Sequence, residues 1–215
     1  ARVAAIRTGG VPNYFGPQRL GRQFSNVTQA RDYFRSTDER RSRSTAGHRR
    51  RRGMLYSAAR AYLFNRILSR RVTDCTWNRI LSGEVLALNG TRRFFKPAVD
   101  IGFTADSELV DRLDNLDIHP TGWLAGYDEA KDPYRASDEV AALEAQIVAD
   151  NGDLVQGLVR SGVQSARRAL RLTPVNLELE LQDAETALLT FTLPAGGYAT
   201  AVIRELADCS GPQVG

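Results

Sequence analysis

Residues with chemical potential fall in three places. Glycines and a proline punctuate Thr8-Gly9-Gly10-Val11-Pro12-Asn13, and Tyr14-Phe15-Gly16-Pro17-Gln18-Arg19-Leu20-Gly21 follows with aromatic, small and cationic residues interleaved. The interleaving is too irregular for a helix and reads as an ordered loop, whose two adjacent aromatics need burial against a core or a ligand. Residues 40–52 hold seven arginines, no acid and nothing larger than alanine that could build a core. They read as a mobile basic arm, suited to phosphate contact or simply solvated. Near the other end, Gly196-Gly197 joins an alternating stretch to a helical one. Backbone there can approach a ligand and the helix N-terminus favours an anion, although a tight connection with no ligand fits the same residues.

Several chemistries lack their parts. No GxxxxGK[ST], no GxGxxG after a strand, no GxSxG and no HExxH occurs, which removes the usual motifs for nucleotide hydrolysis, dinucleotide redox, α/β-hydrolase and zincin chemistry. Of the two histidines, His48 lies in the arginine run and His119 precedes Pro120, poor settings for the base of a nucleophile. Cys75 and Cys209 are far apart, with no CxxC, so they read as buried or incidental thiols and no metal is expected. Net charge is +4, and of 29 basic residues only Lys96 and Lys131 are lysines. Arginine's planar donor fork suits phosphate and bases, so the excess fits a nucleic-acid partner; a GC-rich genome writing Arg for Lys fits it equally. No run approaches the roughly 18 apolar residues of a membrane span, and no leader precedes a cleavage site. A soluble, cytoplasmic protein is expected. The chain opens on Ala1 rather than methionine, and a fragment or processed piece is expected.

The positioning elements follow from periodicity. Met54 to Val72 carries helix formers without Pro or Gly, and its apolar residues go most of the way round, so a buried helix is expected with Arg60, Arg66, Arg70 and Arg71 emerging at a seam or end. Asn89-Gly90 between Val85–Leu88 and Arg92–Phe95 signals a hairpin. A polar, aspartate-rich middle follows from Asp100 to Arg135. Ser137 caps a helix that leaves at Asn151-Gly152, and a second helical stretch runs from Asp153 to about Arg171, weakened at Ser161-Gly162 and stopped by Pro174. Val175, Leu177, Leu179 and Leu181 alternate with polar residues, as do Ala187, Leu189, Phe191 and Leu193, giving an antiparallel hairpin with one wet face. A helix then starts at Ala199 with Val202, Ile203 and Leu206 inward. A basic, aromatic-bearing surface of strands and helices fits RNA handling.

The string from Gly10 to Gly21 closely resembles the signature of the TruD family of tRNA pseudouridine synthases. Tyr56-Ser57-Ala58-Ala59-Arg60-Ala61-Tyr62-Leu63-Phe64-Asn65 agrees with the same family, as does Leu193-Pro194-Ala195-Gly196-Gly197-Tyr198-Ala199-Thr200 with Arg204-Glu205-Leu206. The resemblance covers nearly the whole chain. It implies an α+β fold: a pseudouridine synthase mixed or antiparallel sheet with helices, interrupted by a family-specific α/β insertion domain. Residues 1–38 and 173–215 would be two parts of the catalytic domain, and 39–172 the insertion.

The activity implied is isomerisation of uridine-13 of tRNA to pseudouridine without metal or organic cofactor. Asn13 then looks like a uracil or ribose hydrogen-bonding residue and Phe15 like the stacking aromatic. Tyr198, where the family commonly has phenylalanine, looks like another pocket wall; its hydroxyl needs a partner. Arg19, Arg49, Arg50, Arg51, Arg52 and Arg60 are the candidate RNA contacts. The family's catalytic aspartate precedes the loop by tens of residues and is expected upstream of Ala1. None of Asp32, Asp38 or Asp74 lies in a matching motif. Two other classes stay open: an RNA-binding module with no turnover of its own, and a protein-interaction scaffold in which the arginines are incidental.

Overall fold

The computed structural model describes residues 1–36, 46–97, 107–128 and 132–207. Its frame is one long helix, α4 (Ala46–Thr73), whose 28 residues reach about 42 Å at 1.5 Å per residue. Ala58, Ala59, Ala61, Leu63, Phe64, Ile67 and Leu68 are all buried, so α4 is covered on most sides, as its all-round apolar pattern requires. Packed on one flank are α2 (Pro17–Leu20) and α3 (Ser25–Arg35), with α6 (Asp138–Asp150) and α7 (Gly152–Arg160) beside them. Val27, Ala30 and Phe34 from α3 and Leu154, Val155 and Leu158 from α7 close that core around Leu55, Leu63 and Ile67 of α4.

The other flank of α4 meets a four-stranded antiparallel sheet in the order β3-β2-β4-β5. Its strands are β2 (Leu86–Leu88), β3 (Phe94–Phe95), β4 (Ile118–Leu124) and β5 (Ala166–Ala169), with α5 (Ser107–Asp114) against β4. The Asn89-Gly90 hairpin forms as expected, with Leu86 opposite Phe95. Two further antiparallel pairs stand apart: β1 (Val11–Pro12) with β6 (Arg171–Leu172), and β7 (Val175–Leu181) with β8 (Ala187–Thr192). Helices α1 (Arg2–Gly9) and α8 (Ala199–Leu206) pack with both pairs around Ile6, Val11, Leu172, Leu177 and Val202. Helices plus antiparallel sheets make the fold α+β.

Several local expectations are corrected. Residues 46–52 of the basic arm are the first turns of α4 rather than mobile; arginine is a good helix former, and extending a helix already nucleated adds a hydrogen bond per residue fixed. The remainder of the arm, residues 40–45, lies outside the described residues. The loop from Tyr14 to Gly21 contains one helical turn, α2, with Pro17 at its first position. Ser137 stands at the start of α6, but its hydroxyl makes no capping bond. The second helical stretch ends at Arg160, because Gly162 turns the chain at φ 70° and residues 166–172 become strands β5 and β6.

The polar middle holds α5 and the central strand β4. Its polar residues are tolerated inside because they are bonded: Thr121 Oγ1 donates to the Val85 carbonyl (2.6 Å) and accepts from Arg167 Nε (3.0 Å). Ribbon β7–β8 buries only Leu177 of its alternating apolar set, while Val175, Leu179 and Leu181 are exposed. Cys75 is exposed rather than buried, and Cys209 lies outside the described residues.

Candidate functional site

The loop after β1 and the Gly196-Gly197 turn come from opposite ends of the chain, and both fold onto β5. Strand β1 pairs with β6, and Asn13 N–H donates to the Leu170 carbonyl (2.8 Å). The Asn13 side chain is buried, and its Nδ2 donates to the Ala169 carbonyl at 2.8 Å. Its Oδ1 accepts from Arg168 at 2.7 Å, and the same guanidinium nitrogen reaches the Gly196 carbonyl at 2.9 Å. Arg168 therefore staples the two loops together. Gly196 adopts φ 87°, a conformation that favours glycine and turns its carbonyl into this bond.

Phe15 sits beneath that cation, with the Arg168 guanidinium carbon 4.2 Å from its ring centroid. Phe64 of α4 and Tyr198 meet Phe15 edge-to-face at 5.5 and 5.7 Å. Asn65 locks the backbone of Phe15 from both sides, Oδ1 accepting from its N–H (2.9 Å) and Nδ2 donating to its carbonyl (3.0 Å). Gly16 is required here on packing grounds: a Cβ would stand 2.7 Å from the Tyr198 ring. The Tyr198 hydroxyl finds its partner in Arg19 Nε at 3.0 Å, and Arg19 also donates to Ser57 Oγ at 3.1 Å.

Burial lowers the Arg168 pKa to about 10, with Tyr198 opposing and Arg19 adding to the shift; the group stays a cation at neutral pH. Its Nε is buried without a hydrogen-bond partner among the described residues. Asn13, Phe15, Arg19 and Tyr198 are thus one connected cluster. Arg60 stands apart: its Nη2 donates to the Leu124 and Gln164 carbonyls (3.2 Å each), and burial lowers its pKa. Arg49, Arg50 and Arg51 are exposed and Arg52 half-buried on the first turns of α4. Sequence reasoning missed Arg168 and Asn65. A helix assigned over Arg168 hid the former, although the Ser161-Gly162 break was the available signal; Asn65 lay inside a recognised motif with no role attached.

From Phe15 an open groove of about 970 Å³ runs between α2, α3, α4 and α8. Tyr62, Asn65, Arg66 and Ser69 of α4 line it at helical spacing, and no carboxylate lines it among the described residues. Behind the cluster, buried polar networks hold the strands. Arg71 meets Glu84 at 2.9 Å and Arg167 meets Glu144 at 2.8 Å. Arg171 donates from Nε to His119 Nδ1 at 2.9 Å, and His119 Nε2 lies 3.2 Å from Asn89 Oδ1. Nδ1 is thereby the acceptor and Nε2 carries the proton. Among the described residues no group of His, Cys, Asp or Glu could hold a metal ion, and no helix is long and apolar enough to cross a membrane.

The family model described as tRNA pseudouridine synthase D (TruD) matches residues 32–206. A tRNA pseudouridine synthase D of Methylococcus capsulatus is 41% identical over 208 residues, covering 97% of this chain and 54% of the relative. The protein of the same name from Nitrosococcus oceani is 41% identical over 206 residues, covering 95% and 53%. A crystal structure from Methanosarcina mazei, named for tRNA pseudouridine synthase D, superposes with a TM-score of 0.62 over 95% of this chain and 62% of that one, at 18% identity. That last likeness speaks for the fold. The chain spans about half the length of the curated relatives it matches.

Proposed function

The chain belongs to the tRNA pseudouridine synthase D (TruD) family, and we propose that it supplies the uridine-holding part of such an enzyme, acting on uridine-13 of tRNA in the cytoplasm. The reaction breaks the N1–C1′ bond of uridine and joins C1′ to C5; C5 gives up its proton and N1 gains one. A base must leave its stack and be held for this. The observation that carries the reading is the convergence of the two loops on Arg168, with Phe15, packed against Tyr198, lining a groove that has no carboxylate on its wall among the described residues.

Phe15 is to stack the uracil, the polar edge of Asn13 is to hold it, and Tyr198 is to close the pocket with its hydroxyl already engaged by Arg19. Asn13 Oδ1 and Nδ2 each keep capacity for one further bond. Arg19 and Arg49 to Arg52 are the candidate phosphate contacts. Arg60 is committed to two carbonyls, and its share in binding RNA would act through the junction it holds. Residues 1–38 with 173–215 are the catalytic domain in this reading, and 39–172 the insertion. The nucleophilic aspartate is to come from the part of the family's length that this chain does not span. Without it the chain would bind RNA and not turn it over.

The test is tritium release from tRNA labelled at uridine C5, using a protein of family length that carries this chain. Asn13→Ala is expected to lower turnover by about tenfold or more, in the range of one lost buried hydrogen bond, while tRNA affinity changes less than threefold. Equal turnover in variant and parent would remove Asn13 from the site.

A further inference from the structure

We propose that the groove beyond Phe15 is a subsite for a second unpaired nucleotide, its base held by Phe24 and Tyr62 and its phosphate by Arg66 and Arg204. This rests on the reading of the chain as an RNA-handling unit and goes beyond the target uridine. Phe24 is 53% exposed, an unusual state for a phenylalanine, and both it and Gln23 have left-handed backbone, at φ 61° and 50°. Non-glycine residues in that region are strained, so the fold spends stability to keep this ring at the groove. The Phe24 and Tyr62 rings meet edge-on at 6.1 Å with planes 81° apart. That contact leaves the faces of Phe24 open, and of Tyr62 the face not covered by Arg31, whose guanidinium carbon lies 6.0 Å from the ring centroid, as a stacking base requires.

Charge decides the kind of occupant. Arg66 is exposed on the α4 stripe, and Arg204 of α8 lies 4.5 Å over the Tyr14 ring, with a long, exposed ion pair to Glu205 (3.9 Å) that a phosphate can displace. The third cation, Arg31, is turned away from a ligand by its bonds to Asp153 (2.6 Å) and Asn151 (2.9 Å). Two cations flanking aromatic faces, with no carboxylate on the wall among the described residues, match a chain that repeats phosphate and base. An apolar helix would leave both arginines desolvated, and the Asp and Glu side chains of an acidic peptide offer no aromatic ring to stack on Phe24 and Tyr62. Single-stranded RNA uses both features.

The experiment measures binding of the 215-residue chain to tRNA, to a single-stranded oligouridylate and to a duplex of equal length. Parent, Phe24→Ala, Phe24→Trp and Arg66→Ala are compared, with thermal unfolding recorded for each. Phe24→Ala is expected to weaken single-strand binding about tenfold, in the range for one lost base stack, and Phe24→Trp to restore it. Arg66→Ala should lower the slope of log affinity against log salt by about 0.7, one phosphate on a single strand. Duplex binding stays within twofold. Variants that keep parental single-strand and tRNA affinity while unfolding at lower temperature overturn the subsite and make the groove a protein-packing face; the RNA reading then survives. A parent chain that binds neither tRNA nor oligouridylate overturns both.

Discussion

Arg168 and Arg171 stand three residues apart on neighbouring strands and share a design. Each guanidinium, buried in Arg171 and half-buried in Arg168, is spent on holding main chain: Arg168 on Gly196, and Arg171 on the Leu113 and Ile118 carbonyls at 2.7 and 2.8 Å. Arg171 depends on a neutral His119, which accepts at Nδ1. Burial and the Arg171 charge depress the His119 pKa to about 4, with Asp117 opposing. The unfolded chain, with an ordinary histidine near 6.5, therefore binds more protons than the folded one between those values. Stability from this group is full above about pH 6.5 and is lost as pH falls toward 4, by up to about 3 kcal/mol. Urea unfolding of parent and His119→Asn at pH 7 and pH 4.5 should show the parent losing more stability on acidification. Equal losses would mean that His119 does not carry the acid sensitivity. Because β6 pairs with β1, the same protonation should loosen the strand that presents Asn13.

At the scale of elements, α7 shows where packing overrules propensity. Gly157 lies inside a helix, where alanine is worth up to about 1 kcal/mol more. Yet a Cβ there would run into the root of the Phe34 ring, and that ring is buried and stacked on Tyr56 with planes 8° apart. It cannot swing away. Gly157→Ala is expected to destabilise by about 2 kcal/mol net, within the usual cost of overpacking; a melting temperature equal to or above the parent's would show that the α3–α7 contact yields.

The same elements mark what sequence carries. The long helix α4 was legible because apolar residues recur on all its faces from Met54 to Val72, and the β2–β3 hairpin because Asn89-Gly90 is a strong local signal. Strands β4 and β5 were not: His119, Pro120 and Thr121 fall in the polar middle, to which no element is assigned, and Ala166–Ala169 read as helix. Their burial depends on distant partners, Glu84, Glu144 and Arg171, that no local window contains. Of the candidate site, the two motif loops were visible in the sequence, but the residue joining them lay on one of those unread strands.

For the whole molecule, net charge of +4 matters less than where the cations stand. Arg49 to Arg52 begin a rigid helix whose later turns line the groove, so any phosphate they hold is fixed in distance from Phe15. Replacing these four by alanine should flatten the dependence of tRNA affinity on salt, by about 2 to 4 in slope if two to four phosphates are neutralised. An unchanged slope would assign them to solvent.

On the proposed function, this chain holds a uridine for a carboxylate that it does not itself bring to the groove. Tritium release from C5-labelled tRNA measures it most directly, with the 215-residue chain alone and then joined to the remaining length of a family protein. Release only from the joined protein is the predicted result. Release by the 215 residues alone, or none from the joined protein, would contradict it.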